Sequence, residues 1–362
     1  MTDRDARTGT ETRPNGLTYR DAGVDIDAKA RAIDRLTARA SATLGERAGP
    51  IGRFGGTYRI PSGPDRVLVA SADGVGTKLR LAFALGGNAH AGMGRDIVNH
   101  CVNDILALGA RPLFFMDYFA AGRLDPEVVI AVVGGVTDAC LDNGMALLGG
   151  ETAEMPDMYA PGEYDLAGFI VGTVAPEAMI DGAAVEPGDA VIGLPSTGLQ
   201  TNGYSLARRV LGLTGDAKQD RAILSEVPAG WPESVGSALI AGHRSYFGEV
   251  QPLLADGLVR GMAHITGGGL IDNLPRVLPG DIAARLDPAS WERPPIFDLL
   301  IERGGIPEDE RHRVFNMGVG FALVAQPSAA IAILERVPGS RRIGEIVPRA
   351  SRDEAPVQGL AG

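Results

Sequence analysis

Aromatic residues make up only 5% of this 362-residue chain, and cysteine occurs twice. Two thiols, Cys101 and Cys140, cannot staple a chain of this size; their apolar, periodic surroundings mark them as small buried hydrophobes. Basic residues are outnumbered, 34 Lys and Arg against 45 Asp and Glu, for a net charge of -11. That balance argues against a duplex nucleic-acid partner, which needs a basic face. It leaves nucleotides open, because a few local cations and a metal suffice for one phosphate group. Long hydrophobic runs are missing as well. The longest, Val128 to Val136, falls far short of the roughly 20 residues a membrane-spanning helix needs. The opening MTDRDARTGTETRPNG contains no apolar leader segment and reads as a solvated tail. The expectation is a cytoplasmic globular protein without a membrane or nucleic-acid partner.

What is present points to two domains. Hydrophobic residues reach 45%, and the 50 glycines and 24 prolines are spread without a period, which means many turns rather than a repeat. Residues 1–17 read as tail and 18–176 as a first domain. The polar, turn-rich PEAMIDGAAVEPGDA marks the boundary to a second domain, 177–350, followed by a short tail, 351–362. A helix capped by Asp27 and a glycine-rich loop containing Arg53 are expected early. Arg66 to Ala72 reads as a buried strand and LRLAFAL as a helix. After a glycine-rich break comes a long helix from about Arg95 to Leu108. PLFFMDYFA, MALLGGET and LAGFIVGTV read as strands, with a helix opened by Pro126 at its first turn. AVIGLP, FNMGVGFALVA and helices near 203–211, 245–256 and 329–335 follow. Strands mixed with crossover-length helices make the fold class α/β or α+β.

Several stretches carry chemistry. In Asp73-Gly-Val-Gly-Thr-Lys78 the residues fit neither a Walker A loop nor a dinucleotide fingerprint. Gly74 and Gly76 nevertheless allow backbone N–H groups to approach oxygens, Thr77 and Lys78 suit phosphates, and Asp73 is a hard-oxygen ligand. A polar turn with a solvated lysine is the plainer alternative. On the long helix, at about 100° per residue, Asp96, Asn99, His100 and Asn103 form one narrow stripe with Asp104 at its edge. The rest of that helix is apolar, so its acids must face a metal, a cation or a wet cleft. Glu151, in GGETAEMP, should project from a strand end. Asp73, Asp104 and Glu151 are the ligand types a Mg–triphosphate site requires. In the second half, Asn202 and Ser205 stand at a helix start, where free N–H groups favour an anion. His264, Thr266 and the run Gly267-Gly268-Gly269 form a second loop-to-helix cradle, with His264 a candidate acid or orienting group. Asn316 enters a strand beside two glycines. His90, His243 and His312 suggest no metal spacing.

Taken together and in order, TYRDAGVDID, DGVGTK, DIVNHCVNDIL, LFFMDYFAAGRLD, GGETAEMPDMY, YDLAGFIVG, TNGYSLAR, AHITGGGL and FNMGVG resemble the phosphoribosylformylglycinamidine cyclo-ligase family. The resemblance covers nearly everything except the first tail and residues 212–240. It implies an N-terminal ATP- and Mg-binding sheet pairing into a barrel across a homodimer, and a C-terminal domain covering the cleft. It implies ATP-dependent closure of formylglycinamidine ribonucleotide to aminoimidazole ribonucleotide, with ADP and phosphate released, Mg²⁺ and often K⁺ required, and transient contact with neighbouring purine-pathway enzymes. On that pattern Asp73, Gly74, Gly76, Thr77, Lys78, Asn103, Asp104 and Thr152 serve ATP, with metal on Asp73, Asp104 and Glu151. Asp96 and His264 are the catalytic candidates. Asn202, Ser205, Thr266, Gly267, Gly268, Gly269 and Asn316 face the substrate.

The chain departs from the pattern in places. Gln200 stands where the family usually has histidine, so an acid–base role at that position is in doubt. Gly242-His243-Arg244 replaces a usual Pro-Thr-Arg, Ala72 replaces a threonine, and the Arg53 loop is atypical. The alternatives are a superfamily paralogue that phosphorylates another small molecule, as thiamin-monophosphate kinase does, or an inactive nucleotide-binding homologue.

Overall fold

In the computed structural model, Thr18 and residues 56–59 and 65–360 are described; the Asp27 helix and the Arg53 loop expected from the sequence lie outside them. The first half is one sheet with helices on a face. Its strands are β1 (Gly56–Arg59), β2 (Val67–Gly74), β3 (Arg111–Ala121), β4 (Ala146–Glu154) and β5 (Tyr164–Val174), in the order β1-β2-β5-β3-β4. All neighbours are antiparallel except β3 and β4. Period-two alternation puts Phe115, Phe119, Leu166 and Ile170 into the core beneath the helices. Both thiols, Cys101 and Cys140, are buried in the same core.

Three helices cover that face: α1 (Leu79–Leu85), α2 (Asn88–Leu106) and α3 (Pro126–Asp142). Pro126 opens α3, and the Asp125 carboxylate accepts the Glu127 N–H at 3.0 Å. Helix α2 starts seven residues earlier than the expected Arg95, inside what reads as a glycine-rich break. The reason is packing. A Cβ added at Gly94 would sit 2.0 Å from the Val132 carbonyl oxygen, and one at Gly135 would sit 1.9 Å from that of Ala91. These glycines let α2 and α3 touch backbone to backbone.

The second half is a six-stranded sheet built from β6 (Ala190–Pro195), β7 (Gly261–His264), β8 (Ile282–Leu286), β9 (Val319–Ala325), β10 (Arg341–Pro348) and β11 (Val357–Gln358). Their order is β11-β8-β10-β6-β9-β7. After α4 (Tyr204–Leu211), residues 212–240, which the family resemblance does not cover, hold two short helices: α5 (Ala217–Leu224), capped by Asp216, and α6 (Val235–Ile240), capped by Ser234. Next come α7 (Phe247–Ala255), α8 (Gly269–Asn273), α9 (Pro295–Gly304), α10 (Glu308–Val314) and α11 (Pro327–Arg336). Residues 351–360 do not form a free tail. The Ala284 N–H donates to the Pro356 carbonyl at 2.9 Å, β11 pairs with β8, and Leu360 is buried.

The two halves share apolar cores. Leu81 and Ala84 of α1 belong to one cluster with Tyr204, Phe297 and Phe315, while Leu106 and Ala107 at the end of α2 join the second sheet's core. The polar stripe of α2 is thereby pressed against the second half.

Gly94→Ala and Gly135→Ala are each expected to cost about 1–3 kcal/mol or more through overpacking, read from urea midpoints. Gly134→Ala, whose added Cβ meets nothing within 4 Å, should stabilise by about 0.5–1 kcal/mol. Equal effects at 134 and 135 would contradict the helix contact described here.

Candidate functional site

The stripe on α2 is completely engaged. Asp96 and Lys78 are both fully buried, with Lys78 Nζ 2.6 Å from Asp96 Oδ2. Lys78 also donates to the Ala241 carbonyl at 2.8 Å and lies over the Tyr204 ring. The His243 N–H donates to Asp96 Oδ1 at 2.7 Å. Burial raises the Asp96 carboxyl above its ordinary range, with Lys78 the main opposing influence. Asn103 takes the Tyr246 N–H on its oxygen at 3.0 Å and gives its amide to the Arg244 carbonyl at 2.8 Å. Asn99 donates to the His243 carbonyl at 2.7 Å. Residues 241–246, just before α7, thus form a strap laid along α2 and held by backbone bonds.

Beyond the strap lies a line of imidazoles. Asp73 Oδ2 is 2.8 Å from His100 Nε2, His100 Nδ1 is 2.5 Å from Thr201 Oγ1, and Thr201 Oγ1 is 3.0 Å from His243 Nδ1. His243 Nε2 is 3.1 Å from His264 Nε2, whose Nδ1 is 2.8 Å from Asp104 Oδ1. Ser71 donates to the other Asp104 oxygen at 2.8 Å. Burial works against a charged His100, but the Asp73 carboxylate, aided by Asp104 and Asp96, overrides it and raises the ring to about 9. Burial would lift Asp73, yet His100 and the Gly74 N–H bring it down to about 2. Burial lowers both His243 and His264; Asp104 opposes this at His264, and the neighbouring His100 adds to it at each. At neutral pH this leaves one imidazolium, His100, and two neutral rings. Among the described residues, two trios place ligand atoms within 4.8 Å of one another: Asp73, His100 and Asp104; and His100, His243 and His264.

Loops from both halves border this line. Gly76 has φ +66 and open space where a side chain would be, so its backbone is exposed at the end of β2. Thr77 Oγ1 lies 3.0 Å from Ser205 Oγ at the start of α4. A Cβ on Gly267 would stand 3.3 Å from Asn202 Oδ1, so the loops after β6 and β7 meet. Gly269, with φ +59, leaves no room for a side chain, since a Cβ would fall 1.9 Å from the His312 carbonyl. Thr266 Oγ1 is 3.4 Å from Asn273 Oδ1.

The structure therefore links Asp73, Asp104 and His264 through one hydrogen-bonded line, with Gly74, Gly76 and Thr77 beside Asp73, Thr77 against Ser205, Asn202 against Gly267, and Thr266 and the 267–269 glycines following His264. Other expectations need correction. Lys78 and Asp96 spend their charges on each other, because two unpaired charges could not stay fully buried; neither side chain is offered to a phosphate or substrate. Asn103 holds the strap rather than a nucleotide. Asn316 accepts from Ser196 and the Gly318 N–H and donates to the Gly198 carbonyl, which makes it a loop brace. Glu151 and Thr152 are exposed on edge strand β4, three strand steps from β2, about 14 Å, so within one chain Glu151 does not join Asp73 and Asp104. His100 and Thr201 had no role in the sequence reading, and His243 was set aside there. Its replacement of a usual threonine was the available signal. Gln200, with φ 63, is buried and donates to the Tyr246 hydroxyl at 3.1 Å.

Comparison with known proteins adds the following. Residues 53–174 match the family model described as AIR synthase related protein, N-terminal domain, and residues 186–353 match the C-terminal domain of the same description. The chain is 48% identical over 339 residues to the phosphoribosylformylglycinamidine cyclo-ligase of Sorangium cellulosum (strain So ce56), covering 91% of this chain and 95% of that protein. It is 44% identical over 351 residues to the chloroplastic phosphoribosylformylglycinamidine cyclo-ligase of Arabidopsis thaliana, covering 96% and 85%. Among solved structures, the hydrogenase maturation protein HypE matches with a TM-score of 0.60 at 19% identity over 89% of this chain and 91% of that one. AaThiL complexed with AMPPCP and TMP matches with a TM-score of 0.57 at 16% identity, over 88% and 90%. At these identities the two structures speak to the fold alone.

Asp96→Ala leaves Lys78 buried without its partner and is expected to cost about 3–5 kcal/mol in chemical denaturation. Replacing both charges, as Lys78→Met with Asp96→Leu, should recover much of that loss. A single variant as stable as the parent would show that the pair does not carry this contact.

Proposed function

The chain belongs to the AIR synthase related family, and from that premise we propose that it closes the imidazole ring of phosphoribosylformylglycinamidine in purine biosynthesis. It is an enzyme that forms a C–N bond. The observation that carries this reading is the 48% identity to a cyclo-ligase across 91% of the chain and 95% of that relative. The paralogue and inactive-homologue readings are not favoured, because two relatives covering more than nine-tenths of the chain carry the same cyclo-ligase name.

The chemistry asks for a leaving group on a poor electrophile. The formyl oxygen attacks the γ-phosphorus of ATP, and the bond to ADP breaks. The amidine nitrogen then attacks the formyl carbon, and the C–O bond breaks to release inorganic phosphate. Positioning and charge stabilisation dominate such a reaction. In our reading the open Gly76 backbone and the Thr77–Ser205 hydroxyl pair receive phosphate oxygens. The His100 imidazolium supplies positive charge that Asp73 keeps in place. Asp104 holds a proton on His264 Nδ1 and so orients that ring. Asn202 and the 267–269 glycines line the opposite wall.

Mg²⁺ would be held by Asp73 and Asp104. Asp73 fits, since its side chain stays 46% exposed despite the His100 contact, and a carboxylate oxygen with one hydrogen bond keeps a second lone pair. When bound, the ion would neutralise charge on the phosphates. We assign no residue to K⁺. We take the protein to work in the cytoplasm, although the Arabidopsis relative is named chloroplastic. Among the described residues no helix is long and apolar enough to cross a membrane.

We read the assembly as a homodimer. The face of the first sheet turned away from its helices exposes Met116 at 43%, Leu148 at 64% and Phe169 at 48%. Met116 and Phe169 are cross-strand partners, so the apolar surface is contiguous, as an interface requires.

The purified protein should release ADP only when phosphoribosylformylglycinamidine is present. Folded protein that binds ATP without such release would end the ring-closing reading. Asp104→Asn should cut turnover about 100-fold or more with the melting temperature little changed; near-normal rates would remove Asp104 from the mechanism. Phe169→Glu should shift the light-scattering mass from dimer to monomer, and an unchanged mass would place the interface elsewhere.

A further inference from the structure

The imidazoles of His100, His243 and His264 form a compact group of a kind the family signature motifs did not foretell. All three are buried, and their ring centres are 5.0, 5.0 and 5.2 Å apart at steep mutual angles. A ring nitrogen of each lies within 4.8 Å of the others, and the His243 and His264 Nε2 atoms are already 3.1 Å apart. Three imidazoles on one tetrahedral Zn²⁺, with bonds of about 2.0–2.1 Å, place their nitrogens about 3.3 Å apart and their ring centres about 5 Å apart. Two of the rings meet that spacing as they stand. The third, His100, needs a shift of at most about 1.5 Å.

A second observation concerns the point between His243 and His264. Asn103 is fixed as a donor toward His243 Nε2, 3.1 Å away, because its oxygen takes the Tyr246 N–H. If His243 Nε2 carries a proton, two N–H groups oppose each other. If it does not, its lone pair faces that of His264, whose one proton goes to the Asp104 carboxylate on Nδ1. With both rings neutral the His264 Nε2 lone pair has no hydrogen to accept; a cation there would satisfy it, with the Asn103 amide giving up its contact to His243 Nε2.

We propose that His100, His243 and His264 form a site for one transition-metal dication of the imidazole-preferring class, Zn²⁺ above all, which clamps the second half of the chain onto α2. The supporting groups are present. His264 turns its other nitrogen to Asp104 and His243 turns its other nitrogen to Thr201, while His100, held by Thr201 on Nδ1 and Asp73 on Nε2, would release one to the ion and keep the other. Such outer partners fix ring orientation and raise ligand basicity. A metal binds the neutral ring, so the ion would displace a proton from His100 on entering. The site lies across the chain's two halves, with His100 on α2 and His264 at the end of β7, so the ion would tie them together. It shares His100 and His264 with the ring-closing reading but does not rest on it, because the test reads metal binding rather than turnover.

The test uses the full chain after dialysis against a chelator, with Mg²⁺ kept in large excess so that oxygen-only sites are filled. One Zn²⁺ should bind per chain and raise the thermal midpoint, and Co²⁺ in its place should give the intense visible bands of a tetrahedral site. His243→Thr, confirmed as folded by circular dichroism, should weaken Zn²⁺ at least about tenfold and remove those bands. Weak octahedral Co²⁺ bands in the unaltered chain, or no stoichiometric binding at all, would overturn the proposal whatever the variant does. Zn²⁺ affinity unchanged in His243→Thr would overturn it equally, since the ion would then sit elsewhere.

Discussion

A charge cannot remain in an apolar interior without a partner, and α2 carries two carboxylates and an imidazole into one. Asp96 is met by Lys78 and the His243 N–H, and Asp104 by His264 and Ser71. His100 is met by Asp73. Every one of these partners comes from outside α2, and those of Asp96 and Asp104 include groups from the second half. The need to neutralise and hydrogen-bond the face of one helix therefore decides how the two sheets sit on each other. Apolar packing supports this arrangement through the cluster that joins Leu81 to Tyr204 and Phe297, but such contacts are non-directional. The polar contacts supply the register.

That arrangement also sorts binding from bracing. Lys78, Asp96, Asn103 and Asn316 look like ligand-binding residues when read as types, and all four are consumed by internal contacts. What is left facing the cleft is less conspicuous: a half-exposed Asp73, the open backbone at Gly76, a threonine and serine pair, and a glycine loop. Braces of this kind hold cleft groups in position, which is what a reaction limited by alignment and charge placement needs.

The departures from the family pattern acquire a physical sense in three dimensions. Gln200 sits in a tight left-handed turn and bonds to Tyr246, with Gly320 giving it room. Its neighbour Thr201 reaches His100 and His243. The imidazole missing at position 200 thus has a counterpart at position 243, on the strap, where it completes the group with His100 and His264.

By itself the sequence determined the strands and helices with strong apolar periodicity, the mixed helix-and-sheet class, the chemistry-bearing stretches and their resemblance to one family. Those rest on local spacing and residue type, which the linear chain carries openly. The early start of α2 was not legible, because Gly92 and Gly94 read as breakers until α3 is seen pressing against Gly94. Nor was the return of residues 351–360 to β8, which rests on pairing across a long sequence separation. The tasks of Lys78, Asp96 and His243, and the distance of Glu151 from Asp73, were decided only by the tertiary structure. Burial and partners determine whether a charged group binds a ligand or holds the fold, and both are properties of the packed chain.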